Sequence, residues 1–267
     1  MPAAYRNSPH LVRIRTALLA VLACAPAAPA ALAAAAAPCS FEAQGDGRVA
    51  GVIDARSLRL TDGREIKLAG IEPVSVEAAK RTAALSAIVA GRDITLRADD
   101  DAPDRYGRQV AFVFVAGEEN PVQATLLAQG EAFAAADIAD KACAAALMAA
   151  EAAGRAAKMG IWAGGSATKN AESTGDILAG NGRFMLVEGR VLSVRQAGAT
   201  TYLNFGRNWT RDFAVTISRR MLPSLEAAGM PPKSLENRRI RVRGFIETRT
   251  GPRIELLRAG QLELLVN

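Results

Sequence analysis

The stretch that decides the fold of the first half is DRYGRQVAFVFV, residues 104–115. Its polar turn leads into an apolar run rich in valine and phenylalanine, which is typical of a buried strand. The same strand-like character occurs at residues 47–53, 57–60, 65–71 and 93–97. The sequence therefore predicts five short strands in the first half of the chain.

Helical spacing of apolar residues accompanies these strands. It occurs at residues 76–89, 121–129 and 138–159, and the last segment is rich in alanine and ends before the tripeptide GIW at 160–162. Five short strands interrupted and followed by helices fit a small barrel of the OB type. We therefore predict a β-rich α+β chain in which residues 38–163 form a five-stranded OB-type barrel with three helices.

The first 37 residues have the three-part pattern of a secretory signal peptide. A start with three arginines precedes a short apolar run at 16–23 and a stretch rich in alanine and proline. The apolar run is much shorter than the roughly 20 residues that a bilayer span needs. We expect residues 1–37 to be removed and the protein to be periplasmic or secreted. A disordered tail on a cytosolic protein is the alternative.

The chain has three cysteines, and each bears on its location. Cys24 ends the motif VLAC, which is similar to a bacterial lipoprotein box, and lipidation there would be the feature that tethers the protein to a membrane. Removal of the leader leaves Cys39 and Cys143, and an even pair in an exported chain indicates a disulfide. Two buried free thiols are the alternative.

Charge divides the remaining chain into two halves. Residues 164–182 are rich in glycine and small polar residues and read as a linker. Residues 38–182 hold 15 basic and 20 acidic residues, whereas residues 183–267 hold 15 basic and 7 acidic residues. The second half also shows five or six strands and one helix, which predicts a second, small OB-like β-barrel domain.

Clustered arginines in that second domain favour nucleic acid or another polyanion as partner. A solvated basic face without a partner is the alternative. The single histidine, His10, lies in the predicted leader. The mature chain would therefore contain no histidine, which excludes a histidine general base and histidine-ligated zinc.

Four segments of the first half together resemble the thermonuclease family, also described as staphylococcal nuclease-like. These segments are GVIDARSLRL, GREIKLAGIEP, DRYGRQVAFVFV with NPVQATLLAQGEAFA, and AAEAAGRAAKMGIWA. The resemblance covers roughly residues 47–163. It implies an OB barrel with three helices and calcium-dependent hydrolysis of phosphodiesters. It also implies a site of two arginines, one glutamate and a pair of aspartates, which neutralise charge, activate water and bind the ion.

Only part of that site is retained in this sequence. Asp54 and Glu72 remain as candidate metal ligands, but a further ligand aspartate is replaced by Arg56, which reverses the charge. The two phosphate-clamping arginines correspond to Lys67 and Arg108, and lysine lacks the bidentate fork of arginine.

The glutamate assigned as general base in the family falls at Ser75, which cannot act as a carboxylate base. A register slip that brings Glu77 to this position is an alternative. Because a base and a metal ligand are both replaced, we expect a catalytically degenerate protein without a cofactor. If the protein is nevertheless an active phosphodiesterase, it would use calcium with Arg108, Lys67 and Glu72.

Candidate contacts to nucleic acid lie in both halves. They are Tyr106 in the barrel and Tyr202, Trp209, Arg241 and Arg243 in the second half. This second half resembles the OB-type domain appended to exported family members, and OB folds bind single strands with a basic groove and stacking aromatics. Alternation at residues 239–243 predicts an exposed face of arginines. Phe205 is a further stacking candidate, and core packing of Phe205 and Trp209 is the alternative.

Three classes of function remain open at this point. The first is an exported, catalytically degenerate family member that binds nucleic acid or another polyanion. The second is an active, atypical calcium-dependent nuclease, and the third is an envelope module that interacts with proteins.

Overall fold

The computed structural model describes residues 1–4, 39, 41–74 and 76–265. The described residues from Cys39 onward belong to one compact unit. Apart from residues 1–4, the predicted leader lies outside the described residues, and so do Cys24 and the expected base position Ser75. Within the described part of the chain, no helix is long and apolar enough to cross a membrane.

The first half of the described chain contains seven strands, of which five form a barrel. Their bounds are β1 (Ala43–Asp54), β2 (Ser57–Leu60), β3 (Glu65–Leu68), β4 (Ile71–Pro73), β5 (Asp93–Arg97), β6 (Gln109–Val115) and β7 (Ala132–Ala134). Strands β1, β2, β3, β6 and β5 pair in that order, and β5 pairs with β1, so the sheet closes. The pairing of β3 with β6 is parallel, and the others are antiparallel. The five predicted strands are therefore confirmed.

Three helices accompany the barrel at the predicted places. They are α1 (Ala78–Val89), α2 (Val122–Ala128) and α3 (Lys141–Ala156). The carboxylate of Asp140 begins α3 because it accepts a hydrogen bond from the Cys143 N–H at 2.7 Å. After α3 the chain packs backbone to backbone, since a Cβ on Gly160 would collide with the carbonyl oxygen of Gly130.

Apolar side chains from alternate strand positions fill the barrel. In β2, Leu58 and Leu60 are buried, whereas Arg59 between them is exposed. Strand β6 is buried on both faces in its second half, where α2 covers it. The amide of Gln123 on α2 donates to the Ala111 carbonyl at 2.9 Å and accepts from the Val113 N–H at 3.2 Å. This explains why the sequence of β6 is continuously apolar.

The strand predicted at residues 65–71 is interrupted at Gly70. This residue has a φ of 71°, and a Cβ on it would lie 2.8 Å from the Cδ1 atom of Leu147. The chain therefore turns against α3, and β4 pairs with β7 outside the barrel. Glu72 lies on β4 opposite Phe133.

Cys39 and Cys143 form the predicted disulfide. Both residues are buried, and the bridge joins the segment before β1 to the first turn of α3. The cysteines are separated by 104 positions in the sequence. A loop of that length corresponds to about 4–5 kcal/mol in the chain-entropy model.

The second half of the described chain forms a sheet of eight strands. They are β8 (Thr168–Asn170), β9 (Phe184–Arg190), β10 (Ser193–Ala197), β11 (Thr200–Asn204), β12 (Ala214–Ser218), β13 (Arg239–Thr248), β14 (Pro252–Leu256) and β15 (Leu262–Leu264). The order across the sheet is β10-β11-β12-β14-β13-β9-β8, and β15 pairs with β13. A short helix, α5 (Leu222–Ala227), lies between β12 and β13, after α4 (Thr174–Leu178) near the start of this half.

The pairing order agrees with the predicted small OB-like barrel. Strands β9 and β10 follow one another in the chain with two residues between them, and they pair with β13 and β11 respectively, so the path β10-β11-β12-β14-β13-β9 returns to the stretch in which it began. The long strand β13 organises this sheet. One of its edges pairs with β9, and the other pairs first with β15 and then with β14.

The prediction of a linker at residues 164–182 is wrong. Strand β8 pairs in parallel with β9, and both Ile177 of α4 and Ala171 are buried in the core of the second half. The sequence suggested a linker because the segment is rich in glycine and polar residues. Its two buried apolar residues, which hold it on the sheet, give no periodic pattern.

A buried ion pair joins the two halves of the chain. Arg243 on β13 is fully buried and donates through Nη1 to Glu151 Oε2 at 2.6 Å and to the Ala134 carbonyl at 2.9 Å. Its Nη2 donates to Glu151 Oε1 at 3.3 Å and to Glu263. Burial opposes the charge of Arg243, but the two carboxylates outweigh it and raise the pKa of the guanidinium.

The prediction of an exposed arginine face on β13 is therefore corrected. Arg243 is buried, and Arg241 is engaged by Glu188 at 2.6 Å and by Glu263 at 3.1 Å. Arg239 remains exposed. Alternation assigned the arginines to one side of the strand, but that side meets Glu151 of the first half.

Apolar contacts extend this connection between the halves. The Phe133 ring lies 5.7 Å from the Trp162 ring and 6.3 Å from the Phe184 ring, measured between centroids. Leu186 is buried in the same cluster. We call this group of four residues the seam cluster.

We expect the Cys39→Ser/Cys143→Ser double variant to lose about 4–5 kcal/mol of unfolding free energy, because its unfolded chain is no longer cross-linked. Urea denaturation with and without reductant measures the loss. The double variant should be insensitive to reductant, and an oxidised parent that unfolds at the same urea concentration as the reduced parent would contradict the prediction.

We expect Arg243→Met to lose about 3–5 kcal/mol, because the Glu151 carboxylate stays buried after its main cationic partner is removed. Arg239→Met is the matched control on the same strand, since half of its side chain is exposed and its partner Glu188 is 4.0 Å away. Chemical denaturation compares the two variants. Equal losses would show that the buried pair is not a principal contact.

Candidate functional sites

The barrel brings the predicted nuclease-like residues into one neighbourhood through the register of its strands. Ser57, at the start of β2, pairs with Asp54 of β1 and with Lys67 of β3. Arg108 precedes β6, and its Nη1 lies 3.4 Å from the Ser57 hydroxyl oxygen. Ser57 therefore links residues that are up to 54 positions apart in the sequence, although sequence reasoning gave it no role.

Arg56 occupies the centre of the carboxylate set. Its Nη1 donates to Glu72 Oε2, and both side chains are largely buried. Its backbone N–H donates to Asp54 Oδ1 at 2.8 Å. The residue that reverses the charge at a predicted metal position thus contacts both remaining candidate ligands.

The surroundings of Glu72 shift its titration. Burial raises the pKa of the Glu72 carboxyl, and the positive charges of Arg56 and Lys67 oppose this rise only in part. Asp137 adds to the rise through its negative charge. The cationic neighbours Arg56 and Lys67 thus favour the ionised form of Glu72, which burial disfavours.

The residues present do not fit calcium. A calcium ion needs six to eight oxygen ligands, whereas Glu72 here is bonded to a guanidinium and Asp54 accepts from a backbone N–H. Among the described residues, no group of three or more His, Cys, Asp or Glu side chains is arranged to hold a metal ion. The positive charge of Arg56 would also repel a cation at this point.

The second part of the predicted phosphate clamp is also engaged internally. Arg108 donates to Asp104 Oδ2 from Nε at 3.0 Å and from Nη2 at 2.7 Å. The hydrogen bond from Arg108 lowers the pKa of Asp104 to about 2, so this pair persists through the neutral range. Lys67 makes no ion pair with any residue in the described ranges.

Tyr106 stands beside this pair. It is two-thirds exposed, and the guanidinium carbons of Arg105 and Arg108 lie 4.7 and 5.2 Å from its ring centroid. Its ring is thus a solvent-facing surface with cations on it.

A second candidate site is an open cleft of about 1050 Å³ on the face of the second sheet. Alternate residues of three neighbouring strands form its floor, including Arg195 opposite Tyr202 and Tyr202 opposite Thr216. The opposite face of the same strands carries buried residues such as Leu203 and Val215. We call this feature the C-terminal cleft.

Loops complete the C-terminal cleft. Trp209, which is 70% exposed, lies in the loop between β11 and β12. Arg249 lies in the turn between β13 and β14, and Arg207 lies beside Trp209 in the sequence. The cleft thus contains both Tyr202 and Trp209 of the predicted binding residues, whereas Arg241 and Arg243 are paired elsewhere. Phe205 is buried against Phe213, 5.2 Å away, so it belongs to the core.

Cations dominate the charge of the C-terminal cleft. In the described part of the chain, Arg195, Arg207 and Arg249 have no ion-pair partner, whereas Arg253 pairs with Glu247 at 2.9 Å. Asp212 is the one carboxylate among the lining residues. Sequence reasoning missed Arg195 and Arg249. Arg195 reaches Tyr202 only through the pairing of β10 with β11, and Arg249 reaches the cleft only through the position of the β13–β14 turn.

We expect Arg56→Ala to raise the pKa of Glu72 further, because the variant loses a positive charge that favours the carboxylate. A carbon-13 NMR titration of the Glu72 carboxyl measures the change. Arg59→Ala is the matched control, since Arg59 lies on β2 but pairs with Glu65 at 2.7 Å. An unchanged Glu72 pKa in Arg56→Ala would show that the two side chains are not in contact in solution.

The comparison with protein families agrees with the barrel geometry. Residues 72–164 match the family described as staphylococcal nuclease homologue, a range that includes Glu72, Arg108 and all three helices of the first half. No curated protein matches the chain. Residues 72–164 are therefore similar to a domain of the staphylococcal nuclease homologue family.

Proposed function

We propose that this protein is an exported member of the thermonuclease-like family that binds single-stranded nucleic acid and does not hydrolyse it. The observation that carries the proposal is the C-terminal cleft, in which Tyr202 and Trp209 line one surface with several arginines. Nucleic-acid binding is consistent with the family of the first half.

The C-terminal cleft offers both interactions that a single strand needs. Aromatic rings stack on bases without regard to sequence, and arginines neutralise phosphates. Trp209 presents most of its surface to solvent, and Tyr202 is half-buried on the floor. Arg195, Arg207 and Arg249 form no ion pair with the described residues, so they can bind phosphates without first breaking one. Arg241 and Arg243 have no part in this surface, because Glu188, Glu263 and Glu151 already bind them.

The barrel site supports the loss of hydrolysis. Phosphodiester cleavage needs a base near the attacking water and a cation on the developing charge. Arg56 occupies the place of a metal ligand and binds Glu72, and a guanidinium cannot generate metal-bound hydroxide. The base position carries Ser75, which has no carboxylate. Lys67 and Tyr106 remain available for weak contact with a strand that passes the barrel.

Export is part of the same proposal. The leader has the pattern of a signal peptide, and the Cys39–Cys143 disulfide is compatible with an extracellular location.

The proposal is tested by incubating the purified protein with labelled single-stranded DNA, in calcium and in chelator, and recording binding and cleavage together. We expect binding that is independent of calcium, weakens as salt rises, and is not followed by cleavage. Calcium-dependent cleavage would favour the atypical phosphodiesterase. Absence of binding at low salt would favour a module that interacts with proteins.

We expect Trp209→Ala to lose about 1–3 kcal/mol of DNA-binding free energy, because one stacking surface is removed. Leu257→Ala is the control, since Leu257 is an apolar residue of similar exposure (68%) outside the C-terminal cleft. Arg249→Gln should reduce the slope of log K against log salt by about one. If Tyr106→Ala weakens binding and Trp209→Ala does not, the barrel rather than the cleft is the binding surface.

A further inference from the structure

A separate pocket of about 300 Å³ opens at the junction of the two halves. Its walls come from the start of α1, from β7, from the turn at Gly160–Gly164 and from the first residues of β9. This volume is at the lower end of the range of small-molecule sites. Among the described residues, it shares no lining residue with the C-terminal cleft, and Glu77 is its one lining residue among those considered for the nuclease-like site.

The wall of this pocket is mainly apolar and firmly held. Phe133 and Phe184 line it together with Ile161. Phe133 packs against Trp162 in the seam cluster. Phe184 packs edge-on against Phe245, with ring centroids 5.4 Å apart. Because both halves of the chain hold these rings, the pocket is present before a ligand arrives.

The charges around the pocket are predominantly positive. Three cations line it, namely Arg81, Lys169 and Arg183, against one carboxylate, that of Glu77. Arg81 is buried and already bound to Glu131 and to Glu77, the latter at 3.1 Å, although its Nε has no hydrogen-bond partner among the described residues. Lys169 and Arg183 form no ion pair with the described residues, so two cations face the pocket uncompensated.

We infer that this pocket binds a small amphipathic anion, with an apolar tail and a single anionic head. The tail packs against Phe133, Ile161 and Phe184, and the head accepts hydrogen bonds from Lys169 and Arg183. An apolar wall alone would accept a neutral or cationic amphiphile equally well. The two uncompensated cations select the anion, because a cationic head would meet like charge.

Four probes with the same eight-carbon tail test this inference. Octanoate, octyl phosphate, octanol and octylammonium are titrated into the full chain by calorimetry. We expect saturable binding of an anionic probe that is at least about tenfold tighter than that of octanol and octylammonium. The tighter of octanoate and octyl phosphate identifies the head. Absence of saturable binding, or equal affinity for octylammonium, would overturn the inference.

Surface variants locate the binding without disturbing the core. Lys169→Gln and Arg183→Gln should each weaken the anionic probe by about fivefold to tenfold and leave octanol unchanged. Arg220→Gln is the control, because Arg220 is an exposed arginine outside the pocket. Equal affinity in all three variants would overturn the assignment.

A fluorescence measurement separates this pocket from the C-terminal cleft. In Trp209→Phe, Trp162 is the sole tryptophan, and its ring contacts Phe133 of the pocket wall. The anionic probe should change Trp162 emission with the affinity found by calorimetry. Calorimetric binding without any change in Trp162 emission would place the probe elsewhere and contradict the inference.

Discussion

The contact between Arg243 and Glu151 is the constraint on which the arrangement of the two halves depends. Both side chains are withdrawn from water, and each is costly to bury without the other. Glu151 also accepts from the Ala134 N–H, and Arg243 donates to the Ala134 carbonyl, so β7 is tied to the same network. A chain built in this way does not carry a freely tethered second module. It holds the C-terminal cleft and the barrel in one unit, with the seam cluster packed beside the ion pair.

A similar pairing of guanidinium and carboxylate changes the chemistry of the barrel. Arg56 binds Glu72 where the family resemblance implies a metal, and Arg108 is engaged by Asp104. Arg56 binds the Glu72 carboxylate, which would otherwise be available as a metal ligand. Arg108 binds the Asp104 carboxylate, which would otherwise repel phosphate. The barrel thus has the architecture that the family resemblance implies, while the charged groups of its candidate site are largely paired with one another. Among the described residues, several cations outside any ion pair line the C-terminal cleft and the pocket between the halves.

Local pattern predicted those parts of the fold that depend on local interactions. The strands of the barrel, its three helices and the ten residues of β13 follow the alternation and spacing of apolar residues. The disulfide followed from the cysteine count. Strand β7, strand β8 and helix α4 were missed, because each is too short for a periodic signal and is fixed by pairing or by a single buried residue such as Ile177. The pairing order of the second sheet could not be read from residue pattern, because it depends on contacts between strands that are distant in the sequence.

The amino-acid sequence by itself indicated the family resemblance of the barrel and the residue types at the candidate site, including Arg56 where the resemblance implies an acidic ligand. It also placed Tyr202 and Trp209 among arginines. Only the tertiary structure decided which arginines meet solvent. Arg243 and Arg249 both lie in or beside β13, yet one is buried against Glu151 and the other lines the C-terminal cleft. The reason is physical: burial and partner choice depend on contacts between segments about a hundred residues apart, such as Glu151 and Arg243, and the sequence around either residue carries no record of the other.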